Sequence, residues 1–166
     1  GFSDNWQTHA KKLANYFKVV LVDLRNHGHS PWSDSFSYSL MVQDVNELLE
    51  TLNIQKCIIL GHSMGGKLTT NLAGIDKRVK AAVPSCGGSG DLLESQTDLP
   101  GGRREKRTAL ELACVSDNAF IPLITCPTLW LSPTNDFHAH IDNMAWNWRN
   151  LPDDRVRFSI SPHFNH

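Results

Sequence analysis

The chain has 166 residues, 40% of them apolar, with 16 Lys and Arg against 17 Asp and Glu and a formal net charge of −1. That is enough for one globular domain, which at such a length buries roughly 70% of its unfolded surface, and it excludes a disordered tail. The even charge removes any electrostatic ground for nucleic-acid or anionic-membrane binding, and no apolar run approaches the ~20 residues of a membrane span.

From the amino end, Trp6, Ala10, Leu13 and Phe17 recur at three- and four-residue steps, which puts them on one helix face. FKVVLVDL (17–24) is rich in β-branched and apolar residues and reads as a first strand. Met41, Val45, Leu48, Leu49 and Leu52 mark the next helical face. KCIILG (56–61) reads as a second strand, and after it IILGHSMGGKLTTNL (58–72) breaks into a turn of small residues and resumes as a helix. VKAAVPS (79–85) is a third strand. A polar loop follows over 86–107, punctuated by Gly87, Gly88, Gly90, Gly101 and Gly102, with the basic RREKR (103–107) as a solvated face. TLWLS (128–132) and VRFSIS (156–161) are the last strands, and Ile141, Met144, Ala145 and Trp148 form a helix face between them.

Continuous apolar runs of this kind suit strands covered on both faces. Strand and helix alternating implies the α/β class, with a mostly parallel sheet and helices on both sides. Cys57, Cys86, Cys114 and Cys126 show no C-x-x-C pair, and three of them adjoin apolar runs, so buried free thiols are expected. A reducing compartment, the cytoplasm first, is compatible with that.

In a parallel sheet the ligand site lies beyond the carboxyl ends of the strands. After the first, second, fourth and fifth strands come DLRNHGHS, GHSMGG, PTNDFHAH and PHFNH, so a serine, an aspartate and histidines converge on one edge in the chain order Ser, Asp, His. Gly61-His62-Ser63-Met64-Gly65 fits G-x-S-x-G, in which a nucleophile sits at the tip of a strained strand-to-helix turn and small neighbours let the chain bend. The same letters read as a phosphate-cradling loop, Gly61-x-x-x-x-Gly66-Lys67, except that Leu68 stands where a Mg²⁺-binding hydroxyl belongs and Thr69 comes one position late. A bend that only lets a helix pack close to the sheet is a third reading.

His138-x-His140-x-Asp142 resembles the opening of a metallo-β-lactamase-type metal motif, but Asn143 stands where a further histidine belongs. Alternate residues at a helix start point roughly 200° apart and cannot share an ion. His27 and His29 read as loop residues.

Taken together, these segments resemble the α/β-hydrolase superfamily. GFSDNW (1–6) resembles the stretch after that family's third strand, VDLRNHGHS (22–30) its fourth strand and loop, LGHSMGGK (60–67) its nucleophile elbow, and CPTLWLSPTNDF (126–137) the strand that delivers the acid. The first 75 residues resemble small single-domain esterases acting on acyl esters and thioesters, whereas VKAAVPSCGG through SPHFNH is more similar to acetyl-xylan-esterase and dienelactone-hydrolase relatives.

The resemblance implies that Ser63 is the nucleophile, Asp136 the orienting acid with Asp142 as the spare, and His166 or His163 the base. It implies an oxyanion hole from the backbone N–H groups of Phe2 and Met64. It implies a small-molecule ester substrate, with no cofactor and no metal. His166 has six residues of loop after Ile160 in which to turn back, and His163 only three, so His166 is the first choice.

The family's strand order, 1-2-4-3-5-6-7-8, places its third strand between the fourth and the fifth. The chain begins where that strand ends, so its first two strands are expected to flank a gap of about 10 Å, two interstrand spacings, unless they pair directly. The expectation is therefore a single domain over 1–166, incomplete at both ends as a segment of a longer enzyme, and without a large lid because 86–127 is too short for one. An open site favours short acyl groups. The competing expectation is a non-catalytic hydrolase scaffold or binding module.

Overall fold

A computed structural model describes residues 2–90, 108–136, 139–151 and 154–162, with the side chains of Leu112, Asp142, Trp146, Asn147 and Trp148 outside that set. The chain forms two compact units, Gly1–Asn53 and Ile54–His166.

In the first unit a 3-10 turn over Ser3–Trp6 runs into helix α1 (Gln7–Leu13), and helix α2 spans Tyr38–Thr51. Ser37 caps α2 by accepting the Leu40 N–H at 3.2 Å, satisfying one of the donors that a helix start leaves open. The predicted apolar face is visible in α2, where Met41 and Leu49 are buried, while Leu52 falls at the C-cap and is exposed. In α1 the helix ends at Leu13, so Phe17 lies beyond the face it was expected to share. The loop before α2 is held by a guanidinium–carboxylate fork, Arg25 Nε to Asp44 Oδ2 at 2.6 Å with Arg25 Nη2 on Asp44 Oδ1.

The strand expected over 17–24 does not form: no described residue of that run enters a ladder, and Val20, Leu21 and Val22 are exposed. A strand is a paired object, and β-branched composition supplies only the tendency to join one. Within the first unit there is no described strand for it to join.

The second unit holds a four-stranded parallel sheet among the described residues, β1 (Cys57–His62), β2 (Val79–Ser85), β3 (Thr128–Pro133) and β4 (Val156–Ser161), in the order β1-β2-β3-β4. These are the four later predicted strands, β2 and β4 with the predicted bounds and β1 and β3 displaced by one residue at their ends. Helix α3 (Met64–Ile75) crosses from β1 to β2. The short α4 (Ala109–Cys114) and α5 (Asp117–Phe120) precede β3, and α6 (Ile141–Asn150) precedes β4. Leu68, Leu72, Ala82, Ile121, Ile124, Trp130 and Met144 form the core, and Trp130 stacks on Phe158 with ring centroids 5.6 Å apart.

Coverage on both faces holds for β2 and β3 but not for β1, where exposed Ile58 and Leu60 alternate with half-buried Cys57, Ile59 and Gly61. With a side-chain period of two, one face of this edge strand stays open. The four cysteines are free: Cys86 and Cys126 are buried, Cys57 is half-buried and Cys114 is exposed. Burial raises the thiol pKa values of Cys57, Cys86 and Cys126.

The turn from α3 into β2 is closed by Asp76, which takes the Arg78 backbone N–H at 2.9 Å and the guanidinium at 2.7 Å. The Arg78 side chain holds the Asp76 carboxyl below the ordinary carboxylate range. A depressed native pKa contributes stability that is present above the unfolded-state value and is lost as pH falls through the native one. Asp76→Asn is expected to cost about 1–3 kcal/mol at pH 7 by weakening charge-assisted bonds. The deficit relative to wild type should shrink as pH falls below the ordinary carboxylate range, as read by urea unfolding at stepped pH.

Candidate active site

The second unit brings together the carboxyl ends of its strands. β1 ends at His62 and α3 begins at Met64, leaving Ser63 alone at the junction with φ 58° and ψ −120°. A non-glycine residue at positive φ is costly, of the order of 1–3 kcal/mol, and persists only where its surroundings hold it. Here the Ser63 N–H donates to the Ser85 carbonyl at the end of β2 at 2.8 Å, and the Ser63 carbonyl accepts the Gly66 and Lys67 N–H groups at 2.9 and 3.3 Å.

Steric room completes the grip. A Cβ on Gly61 would overlap the Gly65 carbonyl and stand 2.7 Å from Thr69 Oγ1, and one on Gly87 would overlap the Ser63 carbonyl. The other glycine of the motif behaves differently, because a Cβ on Gly65 would meet nothing within 4 Å. The crowding rationale therefore applies to the first glycine of G-x-S-x-G and not to the last.

Further bonds along the same edge tie the remaining strand ends. Cys86 N–H donates to Leu131 O at 2.9 Å, and Thr134 N–H to Ser161 O at 3.1 Å. Past β3 the chain turns through Thr134 and Asn135 to Asp136, which is 4% exposed and accepts the Ala139 N–H on Oδ1 at 2.9 Å. Cys86, itself at φ 49°, is held neutral by burial, and the nearby charge of Asp136 adds to that effect.

Ser63 and Asp136 thus follow β1 and β3, which flank β2, at the carboxyl ends of one sheet, and β4 brings Ser161 to those ends as well. His163 and His166 lie outside the described residues, as do His138 and the side chain of Asp142, whose backbone is in α6. Met64 is the first residue of α3, where a helix leaves its N–H without an intrahelical acceptor and presents the positive end of its dipole. Phe2 belongs to the first unit, with φ −98° and ψ 158°.

Residues of the rival motifs are otherwise engaged. The Lys67 ammonium pairs with Asp117 Oδ1 at 2.9 Å, Leu68 is buried, and Thr69 Oγ1 donates to Gly65 O at 2.8 Å. His27 Nδ1 lies 2.8 Å from the Arg25 carbonyl, and His29 is an exposed loop residue. His140 occupies the N-cap position of α6. Among the described residues no three His, Cys, Asp or Glu groups are close enough to hold a metal ion.

Two features were not anticipated from the sequence. The first is the Ser85–Gly87 turn beneath Ser63, whose signal is the PSCGG that follows an apolar strand. The second is the Lys67–Asp117 pair, 50 residues apart, for which no local pattern exists.

The family model described as the alpha/beta hydrolase fold matches residues 1–112. An sn-1-specific diacylglycerol lipase of Danio rerio is 43% identical over 75 residues, covering 44% of this chain and 24% of that protein. An esterase of Escherichia coli (strain K12) is 39% identical over 75 residues, covering 45% of this chain and 30% of that one. The matched stretch spans about a quarter of the length of such curated relatives. Among solved structures, a marine microorganism esterase superposes with a TM-score of 0.71 at 22% identity, covering 100% of this chain and 84% of its own, which is a likeness of fold.

The contrast between the two motif glycines is testable. Gly61→Ala is expected to lower the unfolding free energy by about 1–3 kcal/mol through overpacking. Gly65→Ala, with open space and a helical position, should leave it within about 0.5 kcal/mol or raise it. Equilibrium denaturation of the two variants checks both values.

Proposed function

We propose that this chain, which belongs to the alpha/beta hydrolase fold family, hydrolyses carboxylic esters through an acyl-enzyme formed on Ser63. The single observation that carries the proposal is the Ser63 backbone, a serine at φ 58° between a parallel strand and a helix N-terminus. A bend that served only close packing would have no need of a strained serine where glycine is free of cost.

In the proposed reaction His166 takes the Ser63 hydroxyl proton as Oγ attacks the ester carbonyl carbon, with His163 as the alternative base. Asp136 sets the imidazole tautomer and stabilises its charged form. The carbonyl oxygen becomes an oxyanion held by the N–H groups of Met64 and Phe2. Collapse breaks the C–O bond, the alkoxide leaves with the histidine's proton, and water repeats the sequence on the acyl-serine. The burial of Asp136 next to a neutral thiol supports its role as the acid, because a carboxylate shielded from water orients an imidazole more strongly than an exposed one. The esterase and lipase names of the relatives support ester chemistry. Short-acyl esters are the proposed substrates, on the ground that 86–127 is too short for a large lid.

A fluorophosphonate probe should label Ser63 in the active protein, and Ser63→Ala should abolish both labelling and turnover of p-nitrophenyl acetate. Asp136→Asn should reduce kcat by about 10⁴ with the fold intact, and His166→Ala should abolish activity where His163→Ala only reduces it. Activity lost to a chelator and restored by Zn²⁺ would overturn the serine mechanism. A preference for p-nitrophenyl palmitate over the acetate would overturn the short-acyl assignment alone.

A further inference from the structure

Asp23 has no part in the proposed triad, yet the chain on both sides folds onto its carboxylate. Oδ1 accepts the Ser3 N–H at 2.6 Å, and Oδ2 accepts the Ser3 hydroxyl and the His29 N–H, each at 3.0 Å. Its carbonyl takes the Ser30 hydroxyl at 2.5 Å. Gly28, at φ 54°, lies so close that any Cβ there would overlap the carboxylate. The His29 and Ser3 N–H groups hold the Asp23 carboxyl below its ordinary value, with the His29 imidazole adding a little. That imidazole stands 3.9 Å from Asp4, the other charged group facing it.

We propose that Asp23 is a positioning residue for the oxyanion donor at Phe2, an inference that rests on the assignment of Phe2 made above. The peptide joining Phe2 to Ser3 is gripped at both ends. Its N–H points into the Asp23 carboxylate, and its carbonyl accepts the Asn5 N–H at 3.0 Å. With that plane pinned, the Phe2 N–H keeps only the two rotations of Phe2 itself, at φ −98° and ψ 158°. Two bonds from a single residue to a single carboxylate fix orientation as well as distance. A donor aimed before the oxyanion forms costs no reorganisation during the reaction, which is where such groups derive their effect. Without Asp23 the Ser3 peptide keeps only the Asn5 bond on its carbonyl and can turn about it, and the Phe2 N–H turns with it.

The experiment compares Asp23→Ala, Asp23→Asn, Ser3→Ala and Ser63→Ala in the full protein, on p-nitrophenyl acetate, with the folded fraction measured by circular dichroism. Asp23→Ala should lower kcat about 10- to 100-fold, the scale of a misplaced rather than a missing donor, while KM moves by less than about twofold. Fluorophosphonate labelling of Ser63 should slow by the same factor. Asp23→Asn keeps an acceptor for the Ser3 N–H and should recover part of the loss, and Ser3→Ala, which keeps the backbone bond, should lose less than Asp23→Ala. Unchanged kcat in folded Asp23→Ala overturns the inference, as does a loss that vanishes once activity is expressed per folded molecule. If Asp23→Ala does not fold, Asp23→Asn decides by the same readouts. Turnover that survives Ser63→Ala defeats the serine mechanism itself, whereas an inactive Ser63→Ala beside fully active Asp23 variants defeats only the role of Asp23.

Discussion

The backbone of Ser63 is the constraint on which the second unit depends. A φ of 58° is held by one hydrogen bond to the end of β2 and two from the first turn of α3. The first of those bonds exists only because β1 and β2 are parallel neighbours in register, with His62 opposite Ser85, whereas the other two are local to the helix start. The local cost, of the order of 1–3 kcal/mol, is thus met jointly by long-range pairing and by the first turn of the helix. Gly61 is crowded by the helix that folds back over it, at Gly65 and Thr69, and Gly87 by the Ser63 carbonyl across the strand ends.

The same logic extends into α3. Lys67 turns away from the sheet edge to Asp117, and both side chains are largely buried. With its amide nitrogen facing these acceptors, Asn71 donates to Lys67 O at 3.3 Å and to Asp117 Oδ1 at 3.1 Å. Removing either partner of a buried pair leaves an uncompensated charge, so the pair acts as a latch between α3 and α5 more than as a source of net stability. It also takes up the lysine on which a phosphate-loop reading depends. Position along a motif is therefore a weak guide to function when the side chain has a partner far away in the chain.

Much of the second unit was legible beforehand. KCIILG, VKAAVPS, TLWLS and VRFSIS became the four strands because each apolar run has a paired neighbour. FKVVLVDL, with an equally apolar composition, entered no ladder. The difference is pairing, which composition does not encode. Ser63 was legible because an elbow imposes a local pattern of small residues, whereas the partnership of Asp117 with Lys67 imposes none.

The amino-acid sequence by itself determined the α/β class, the order of Ser63 and Asp136 after their strands, and the identity of the strained position, because each is written in local periodicity or in residues adjacent along the chain. Only the tertiary structure decided that Gly61 is sterically required and Gly65 is not, that Lys67 belongs to Asp117, and that Asp23 gathers Ser3 and His29. Lys67 and Asp117, and Asp23 and Ser3, come within 3 Å or so only after segments 50 and 20 residues apart have packed, and the crowding at Gly61 depends on how the turn after it folds back. Such distances are set by the whole of a packed unit, and no stretch of sequence contains them.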